Sequence, residues 1–298
     1  MWRGLFTAAT GMITESRRTD IIANNLANAA TTGYKKDVAV HREFENMLIR
    51  RMYDSDNGSN YGGAPISGLL DTDSGDVTKF KGFQVNQNSS PEVGQLGLGD
   101  YIAEIAVDHS QGAFESTGNA FDLAIAGEGF FTVQTPNGIR YTRNGAFFRN
   151  QDGVLQDIRG YNVLDRQGTQ ITIPADVSDS RIAVSADGSI HINGQLMTKV
   201  AGEEQNAVPV QLQIVQFDNR LAVQKQGDNL YAAVNNAQPQ PATGEVMQGM
   251  LEKSNVEIVR EMVELIHNHR LYEANAKAVT TQDTMLDASV NQIGRLGS

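Results

Sequence analysis

Apolar positions near the N-terminus repeat with the spacing of a helix. Eight positions follow one another at steps of three and four, and six of them are apolar: Leu5, Ala8, Met12, Glu15, Thr19, Ile22, Leu26 and Ala29. This pattern predicts a long helix with a narrow apolar stripe of the coiled-coil kind. Gly33, which follows two threonines, indicates where the helix has ended.

A second and longer helical pattern occupies the C-terminus. Ser254 and Glu257 form a capping box, which predicts the start of a helix that meets no proline or glycine before Gly294. Its predicted stripe is Val259, Met262, Ile266, His269, Tyr272, Ala276, Val279, Asp283, Leu286, Val290 and Ile293. Two consecutive steps of three around His269 predict a local change in supercoiling.

The middle of the chain has the alternation and the turn signals of β structure. Asn-Gly, Asp-Gly and Gln-Gly turns recur at 136–138, 150–153, 166–168, 186–188 and 193–194. The runs 121–127 and 210–217 alternate apolar and polar residues, which is typical of half-buried strands. Two segments read as irregular because they are rich in Gly, Ser, Asn, Asp or Pro, namely 54–100 and 235–245.

These patterns together predict an α+β fold. Long N- and C-terminal helices pair as a coiled-coil-like inner domain, and an all-β domain is inserted between them. The predicted segments are an N-terminal helix (1–35), an extended or irregular connector (36–111), the β domain (112–234), a second connector (235–249) and the C-terminal helix (250–298).

The charge is concentrated in the middle of the chain. The net charge of −11 argues against a general nucleic-acid binder. Residues 51–249 carry 12 Lys and Arg against 23 Asp and Glu, whereas both ends are close to neutral. Near-neutral ends are able to pack against copies of themselves, and an acidic middle suits a solvated outer body. No stretch is apolar enough for a membrane span, and the N-terminus lacks the cleavage site of a secretory signal.

No catalytic, cofactor or metal site is expected. The chain has no cysteine. His267 and His269 point in different directions on a helix, and the other histidines are solitary. The stretches 54–60 and 71–76 resemble calcium loops, but their glycines fall one position too early and no glutamate closes either loop. The carboxylates are scattered as on a solvated surface.

Three asparagines, Asn24, Asn25 and Asn28, lie where the first helix is about to end. One interpretation is a local helix stop, because asparagine is a poor helix former. The other is packing against neighbouring copies, since amides can bond both a partner's backbone and the free carbonyls of a helix end. The adjacent apolar stripe favours the second interpretation.

Three segments resemble the flagellar basal-body rod and hook proteins. "ANNLANAATTGYK" (23–35) is similar to their N-terminal signature and "GMLEKSNVEIVREMVELIHNHRLYEANAKAVTTQDTML" (249–286) to their C-terminal signature. The stretch 117–156, which begins "TGNAFDLAIAGEGFF", resembles their central β region. The three lie in the expected order. The opening "MWRGLFTAATGM" resembles the rod-type members.

The resemblance implies a non-enzymatic structural subunit of the basal-body rod, which polymerises helically through its terminal helices into a drive shaft between motor and hook. It implies export by the flagellar type III apparatus and an extracytoplasmic place in the cell envelope. The implied partners are copies of the chain and neighbouring rod and hook proteins, with no nucleic acid and no membrane insertion. The expected subunit-packing residues are Leu5, Met12, Ile22, Asn24, Asn25, Leu26, Asn28, Gly33, Tyr34, Leu251, Ser254, Asn255, Val256, Val259, Met262, Ile266, Arg270, Tyr272, Asn275, Val279, Leu286, Val290 and Ile293.

Alternatives remain at this point. A hook-type axial protein shares the same signatures, although the chain is short for one. A rod-associated enzyme that cuts peptidoglycan would need a paired-acid or metal site. A free extracellular coiled-coil adhesin would be stably helical as a monomer or small oligomer.

Overall fold

In a computed structural model of the chain, one long helix precedes and another follows a β-rich middle along the sequence, which is an α+β fold. The structure describes residues 2–43, 47–50, 92–96, 99–200, 207–218, 222–227, 229–234 and 237–293. Helix α1 is Trp2–Ala27 and helix α2 is Ile258–Ile293. Most of the predicted irregular segment 54–100, including both calcium-like stretches, lies outside the described residues. Within the described residues, neither helix is long and apolar enough to cross a membrane.

The strands are short and numerous. In chain order they are β1 (Asp37–Glu43), β2 (Met47–Arg50), β3 (Glu92–Leu96), β4 (Asp100–Val107), β5 (Phe114–Ser116), β6 (Leu123–Ala126), β7 (Phe130–Thr135), β8 (Gly138–Thr142), β9 (Phe147–Arg149), β10 (Leu155–Asp157), β11 (Asn162–Val163), β12 (Ile182–Val184), β13 (Ile190–Ile192), β14 (Gln195–Leu196), β15 (Thr198–Val200), β16 (Ala207–Pro209), β17 (Ile214–Gln216), β18 (Val223–Lys225), β19 (Leu230–Ala233), β20 (Gln240–Pro241), β21 (Glu245–Gln248) and β22 (Met250–Glu252). A 3₁₀ turn at Asp179–Arg181 precedes β12.

The chain divides into two compact units. The first unit comprises Met1–Ile13, His41–Tyr101 and Asn275–Ser298, and the second comprises Thr14–Val40 and Ile102–Ala274. In the first unit, β2 pairs with β3 in an antiparallel ribbon, and Ala8 of α1 is buried. The second unit holds the main sheet and its core.

One sheet organises the second unit. Its strands run in the order β18-β19-β8-β7-β11-β10-β9, and β17 joins it by pairing with β7 and β20. Smaller ribbons are formed by β1 with β4, β5 with β22 and β6 with β21, so both segments predicted as connectors contribute strands. Since β5 and β6 pair with strands just before α2, the C-terminal segment is tied to the β region before its helix begins.

The predicted turns are all present. The hairpin between β7 and β8 turns at Gly138, and that between β13 and β14 turns at Asn193 and Gly194. Asn193 has φ +53° and Gly194 has φ +80°, which an Asn-Gly pair adopts at low cost in a type I′ turn. The signals at 150–153, 166–168 and 186–188 likewise end in glycines with positive φ. Local turn chemistry therefore places these reversals correctly.

Among the described residues the core consists of two clusters, and the alternation of residues 210–217 changes between them. The larger cluster takes Val210 and Leu212, and the smaller takes Val215 and Phe217. The inward side therefore switches at Ile214, which a single period-two pattern does not predict. The other predicted half-buried strand is buried on both faces, because Ala124 is as inaccessible as Leu123 and Ile125.

Candidate functional site

The segment that follows α1 enters the β region through a glycine that no other residue could replace without strain. Gly33 has φ +65°. Its N–H donates to the carbonyl oxygen of Glu252 at 2.7 Å. A Cβ added to Gly33 would lie 2.5 Å from the carbonyl carbon of Arg143, so a side chain is excluded by contact as well as by backbone conformation.

Beside this glycine lies a fully buried ion pair between the two terminal segments. Lys35 Nζ and Glu252 Oε1 are 2.6 Å apart, and both side chains have 0% exposure. Lys35 also donates to the carbonyl oxygen of Ser110 at 2.7 Å, and the N–H of Gly112 donates to Glu252 at 2.9 Å. Arg143 Nε lies 3.5 Å from the second carboxylate oxygen. Four separate stretches of chain are joined at this point.

Burial lowers the pKa of both cations in the cluster. Removal from water lowers the pKa of Lys35, although the neighbouring Glu252 carboxylate opposes that shift. Burial likewise lowers the pKa of Arg143. A buried pair of this kind is costly to form and more costly to break, because loss of one partner leaves an uncompensated charge in the interior.

The asparagines at the end of α1 bond within their own chain. Asn25 is 2% exposed. Its amide donates to the carbonyl oxygen of Asp37 at 2.8 Å and accepts from the Asp37 N–H at 2.9 Å, as a neighbouring strand would. The Tyr34 hydroxyl lies 2.8 Å from Asn24 Oδ1, and Asn28 donates to the carbonyl oxygen of Asn24. These are the bonds of the local interpretation; a role in packing between copies stays a prediction.

The β18–β19 hairpin holds the same segment from the other side. Lys225 Nζ donates to the carbonyl oxygen of Lys35 at 3.0 Å and to the carboxylate of Asp37 at 3.1 Å. The ammonium group also lies 3.8 Å from the centroid of the Tyr34 ring, a cation–π contact. Asn229 donates to the carbonyl oxygen of Thr32 at 2.8 Å. We call this network of polar contacts the clasp. Its members are Asn25, Gly33, Tyr34, Lys35, Asp37, Arg143, Lys225, Asn229, Glu252 and, as described next, Asn255.

The start of α2 belongs to the clasp and differs from the prediction. The helix begins at Ile258, four residues after the predicted cap Ser254. Asn255 accepts from the Lys36 N–H at 2.8 Å and donates to the carbonyl oxygen of Asp108 at 2.8 Å. Ser254 accepts instead from the N–H of Val256, which is buried. These tertiary bonds keep the chain extended where the capping box alone predicted helix.

Helix α2 meets α1 through polar side chains in the second unit. Asn268 is 0% exposed. Its amide donates to the carbonyl oxygen of Glu15 at 2.7 Å and to the hydroxyl of Thr19 at 2.6 Å. Arg18 pairs with Glu264 at 3.1 Å. The two helices therefore run antiparallel here, and these contacts between them are polar.

The apolar stripe predicted for α2 does not line this contact. Its first five members are exposed instead: Val259, Met262, Ile266, His269 and Tyr272. Val263 adds to them, and Val259 is 75% exposed. The face of α2 that points inward is therefore not the predicted one. It carries Glu261 and Asn268, which are polar and so were not part of the predicted apolar stripe. The exposed apolar side chains have no cover from their own chain's α1.

The remaining predicted packing residues are placed as follows. Ile22 is buried, and those half-buried are Leu5, Met12, Leu26, Leu251, Asn275, Val279 and Leu286. Arg270 and Val290 are exposed, and Ile293 is the last residue of α2. Whether these residues contact other copies is not decided within one chain, so that role stays a prediction.

Several clasp residues escaped the sequence analysis. Lys225 and Asn229 lie outside the segments that resemble the family, and Lys35 and Arg143 lie inside them, but nothing local marked either of the latter as buried. Lys35 is 217 positions from its partner Glu252. Glu252 stood inside the C-terminal signature, but nothing local marked it as buried. The histidines behave as surface or packing groups, since His41 contacts Asp100 and His269 contacts Glu273. Across the described ranges no cluster of His, Asp and Glu could hold a metal ion.

A buried cluster of paired charged groups, together with a helix that has an exposed apolar face, is typical of a structural protein. Comparison with known proteins agrees. The family model described as "Flagellar hook protein FlgE/F/G D1 domain" matches residues 124–192. "Flagellar basal body rod FlgEFG protein C-terminal" matches 247–293, and "Flagella basal body rod protein" matches 5–35.

Relatives of nearly the same length align with almost the whole chain. It is 32% identical to the flagellar basal-body rod protein FlgG of Bacillus subtilis, over 98% of this chain and 99% of the relative. It is 34% identical to FlgG of Agrobacterium fabrum, over 95% and 96%. It is 32% identical to the rod protein FlgF of Caulobacter vibrioides, over 99% and 100%. The chain belongs to the flagellar basal-body rod protein family and is a structural subunit of the rod.

Proposed function

We propose that copies of this chain join head-to-tail into a helical rod through α1 and α2, which pair as a coiled-coil-like inner domain. The observation that carries the proposal is the uncovered apolar row on α2, where Val259, Val263 and Ile266 are 75%, 61% and 56% exposed. A row of this kind on one helix marks a surface for association. Contacts between unlike surfaces that do not close into a ring give an open filament.

Its partners are therefore other copies and the neighbouring rod and hook proteins, whose signatures it shares. The chain leaves the cell through the flagellar type III export apparatus and works outside the cytoplasm, in the cell envelope. It performs no catalysis, and its role is mechanical.

The clasp is the element through which torque passes between the terminal helices and the β region. Lys35 and Asp37 follow α1, Glu252 and Asn255 precede α2, and Lys225 belongs to the main sheet. Bonds among these groups resist a change in angle between helix and sheet, because the Lys35–Glu252 pair is short and buried and the other bonds extend it into a network. A rod subunit needs that stiffness to rotate as one body with its neighbours.

Before assembly, the ends of the chain do not hold their helices. Ordering each residue costs about 1–2 kcal/mol, and α2 leaves much of its apolar surface in water. We therefore expect residues 5–30 and 256–293 to exchange amide hydrogens rapidly in dilute monomer and to become protected in the polymer. Strong protection of both segments in the dilute monomer would favour a free coiled-coil protein instead.

The assembly proposal is tested by placing charge on the uncovered row. We expect Val259→Asp combined with Val263→Asp to reduce incorporation into purified basal bodies about tenfold or more, which requires a loss of only about 1.4 kcal/mol of binding free energy. The matched control is Ile158→Asp, because Ile158 is 73% exposed but lies on a turn between β10 and β11. Normal incorporation of the double variant, with its unfolding midpoint unchanged, would refute the proposed use of this surface.

A further inference from the structure

The contacts between α1 and α2 follow a seven-residue series of amide side chains. In the first unit, a Cβ added to Gly4 would lie 3.0 Å from Gln282 Nε2, and one added to Gly11 would lie 2.8 Å from Asn275 Nδ2. Each amide thus rests on the bare backbone of a glycine. Moving seven positions forward on α1 moves the contact seven positions back on α2, as an antiparallel pair requires.

In the second unit, α2 carries another amide one heptad earlier in the sequence. Asn268 precedes Asn275 by seven residues, and its amide bridges the carbonyl of Glu15 and the hydroxyl of Thr19. Residues seven apart lie on one face of a helix in a supercoiled pair. Among these three residues the apolar stripe has no member, so the series is a second pattern in the same helix.

Two of these amides lower the stability of the folded chain, because each buries an oxygen without a hydrogen-bond partner among the described residues. Asn268 is fully buried, and among the described residues its Oδ1 has no hydrogen-bond partner; the same holds for Oε1 of Gln282. An apolar side chain at either place would avoid the cost of an unsatisfied buried oxygen. Polar residues at the contact positions of helix pairs are instead known to select one register at a cost in stability.

We propose that Asn268, Asn275 and Gln282 are positioning residues that set the antiparallel register of α1 and α2 within one chain. Gln282 packs against the backbone of Gly4, and Asn275 packs against the backbone of Gly11. A slip by one heptad would place Asn275 opposite Gly4, and Asn268 would lose both the Glu15 carbonyl and the Thr19 hydroxyl. Because the amides make the contact with α1, the exposed apolar row of α2 is available for contact with a second copy. This inference rests on the proposed coiled-coil-like pairing and adds how its alignment is chosen.

The cysteine-free chain allows a direct test by disulfide cross-linking. We expect Gly11→Cys with Asn275→Cys to form an intrachain disulfide in assembled rods, and the slipped pair Gly4→Cys with Asn275→Cys to form little. Adding Asn268→Leu to both backgrounds should lower the ratio of in-register to slipped product about tenfold, the effect of a hydrogen bond worth about 1.4 kcal/mol. Helix stability should not fall, since leucine removes an unsatisfied oxygen.

Leu271→Ala is the matched control, because Leu271 is half-buried on α2 but stands outside the series. It should weaken the helix pair and leave the cross-linking ratio unchanged. Equal cross-linking of both cysteine pairs, disulfides between chains, or the same ratio after Asn268→Leu would each overturn the inference. Incorporation into basal bodies is scored separately, so that failure of assembly counts against the rod proposal; the ratio is then read on purified chains assembled in vitro.

Discussion

Lys35 and Glu252 form a 2.6 Å ion pair from which water is wholly excluded, although one follows the first helix and the other precedes the last. The pair therefore does what neither terminal segment could do alone: it fixes where both ends of the chain leave the β region. We expect those exits to set the geometry that each copy presents to its neighbours in the rod.

Breaking this pair on one side should be severe. We expect Glu252→Leu to lower the free energy of unfolding by about 3–5 kcal/mol, because Lys35 and Arg143 are then both left charged in the interior. The double variant Lys35→Met with Glu252→Leu should recover part of the loss. Urea unfolding measures both.

The control for that experiment is the exposed pair of Lys253 and Glu115. Its nitrogen and oxygen are 3.1 Å apart, but the two side chains are 55% and 56% exposed. We expect Lys253→Met to change stability by less than about 1 kcal/mol. Equal losses in the buried and exposed variants would contradict the importance of the clasp.

Gly33→Ala should destabilise the clasp by more than its backbone conformation explains. A positive φ costs an L-residue about 1–2 kcal/mol, and here the new methyl group also meets the Arg143 carbonyl. Gly160→Ala isolates the first cost, since Gly160 has φ +83° with no atom within 4 Å of an added Cβ. Thermal unfolding of the two variants should separate them, and an equal effect would mean that the Arg143 backbone moves aside freely.

Asn25→Ala tests whether the asparagines serve their own chain. The substitution removes the amide that pairs with both backbone groups of Asp37. In assembled rods, where α1 is ordered, the Asp37 amide hydrogen should therefore exchange about tenfold faster or more, as expected for a lost bond of about 1.4 kcal/mol. Asn28→Ala, which breaks bonds to Asn24 and Thr31 but none to Asp37, should leave that exchange rate unchanged. If Asn25→Ala alters only assembly and not exchange, the amide acts between copies.

Tyr231→Phe should stabilise the protein. Tyr231 is 0% exposed, and within the described part of the chain its hydroxyl has no hydrogen-bond partner, so removing the oxygen should gain about 1 kcal/mol at neutral pH. Unfolding midpoints in urea check this value. A clear loss of stability would show that the hydroxyl is satisfied by a group or water that the substitution displaces.

The same variant carries a pH dependence. Burial raises the pKa of Tyr231 above the ordinary value of 10.0. A phenol whose pKa is higher in the folded state binds its proton more tightly there, so its contribution to stability is complete below pH 10 and is lost as the pH rises beyond it. The advantage of Tyr231→Phe should therefore widen above pH 10, and a constant difference would contradict this origin.

Much of the architecture could be read from local patterns. The steps of three and four residues predicted both helices, and the Asn-Gly and Asp-Gly turns predicted the hairpins, because such signals depend on neighbours in the chain. The two strands β1 and β4 were missed because their pairing joins positions some sixty residues apart. The start of α2 was placed three residues early, at 255 instead of Ile258, because Asn255 bonds to Lys36 and Asp108, which no capping signal can reveal.

Periodicity, turn chemistry and signature residues are all local, so the amino-acid order was enough to predict two long terminal helices around a β-rich middle and membership among the basal-body rod proteins. The pairing of Lys35 with Glu252, the bonds of Asn25 to Asp37, and the turning of Asn268 rather than Ile266 toward α1 emerge only in the folded chain. Burial and pairing depend on which distant segments come together, and an apolar residue has the same helical spacing whether it faces its own chain or another copy.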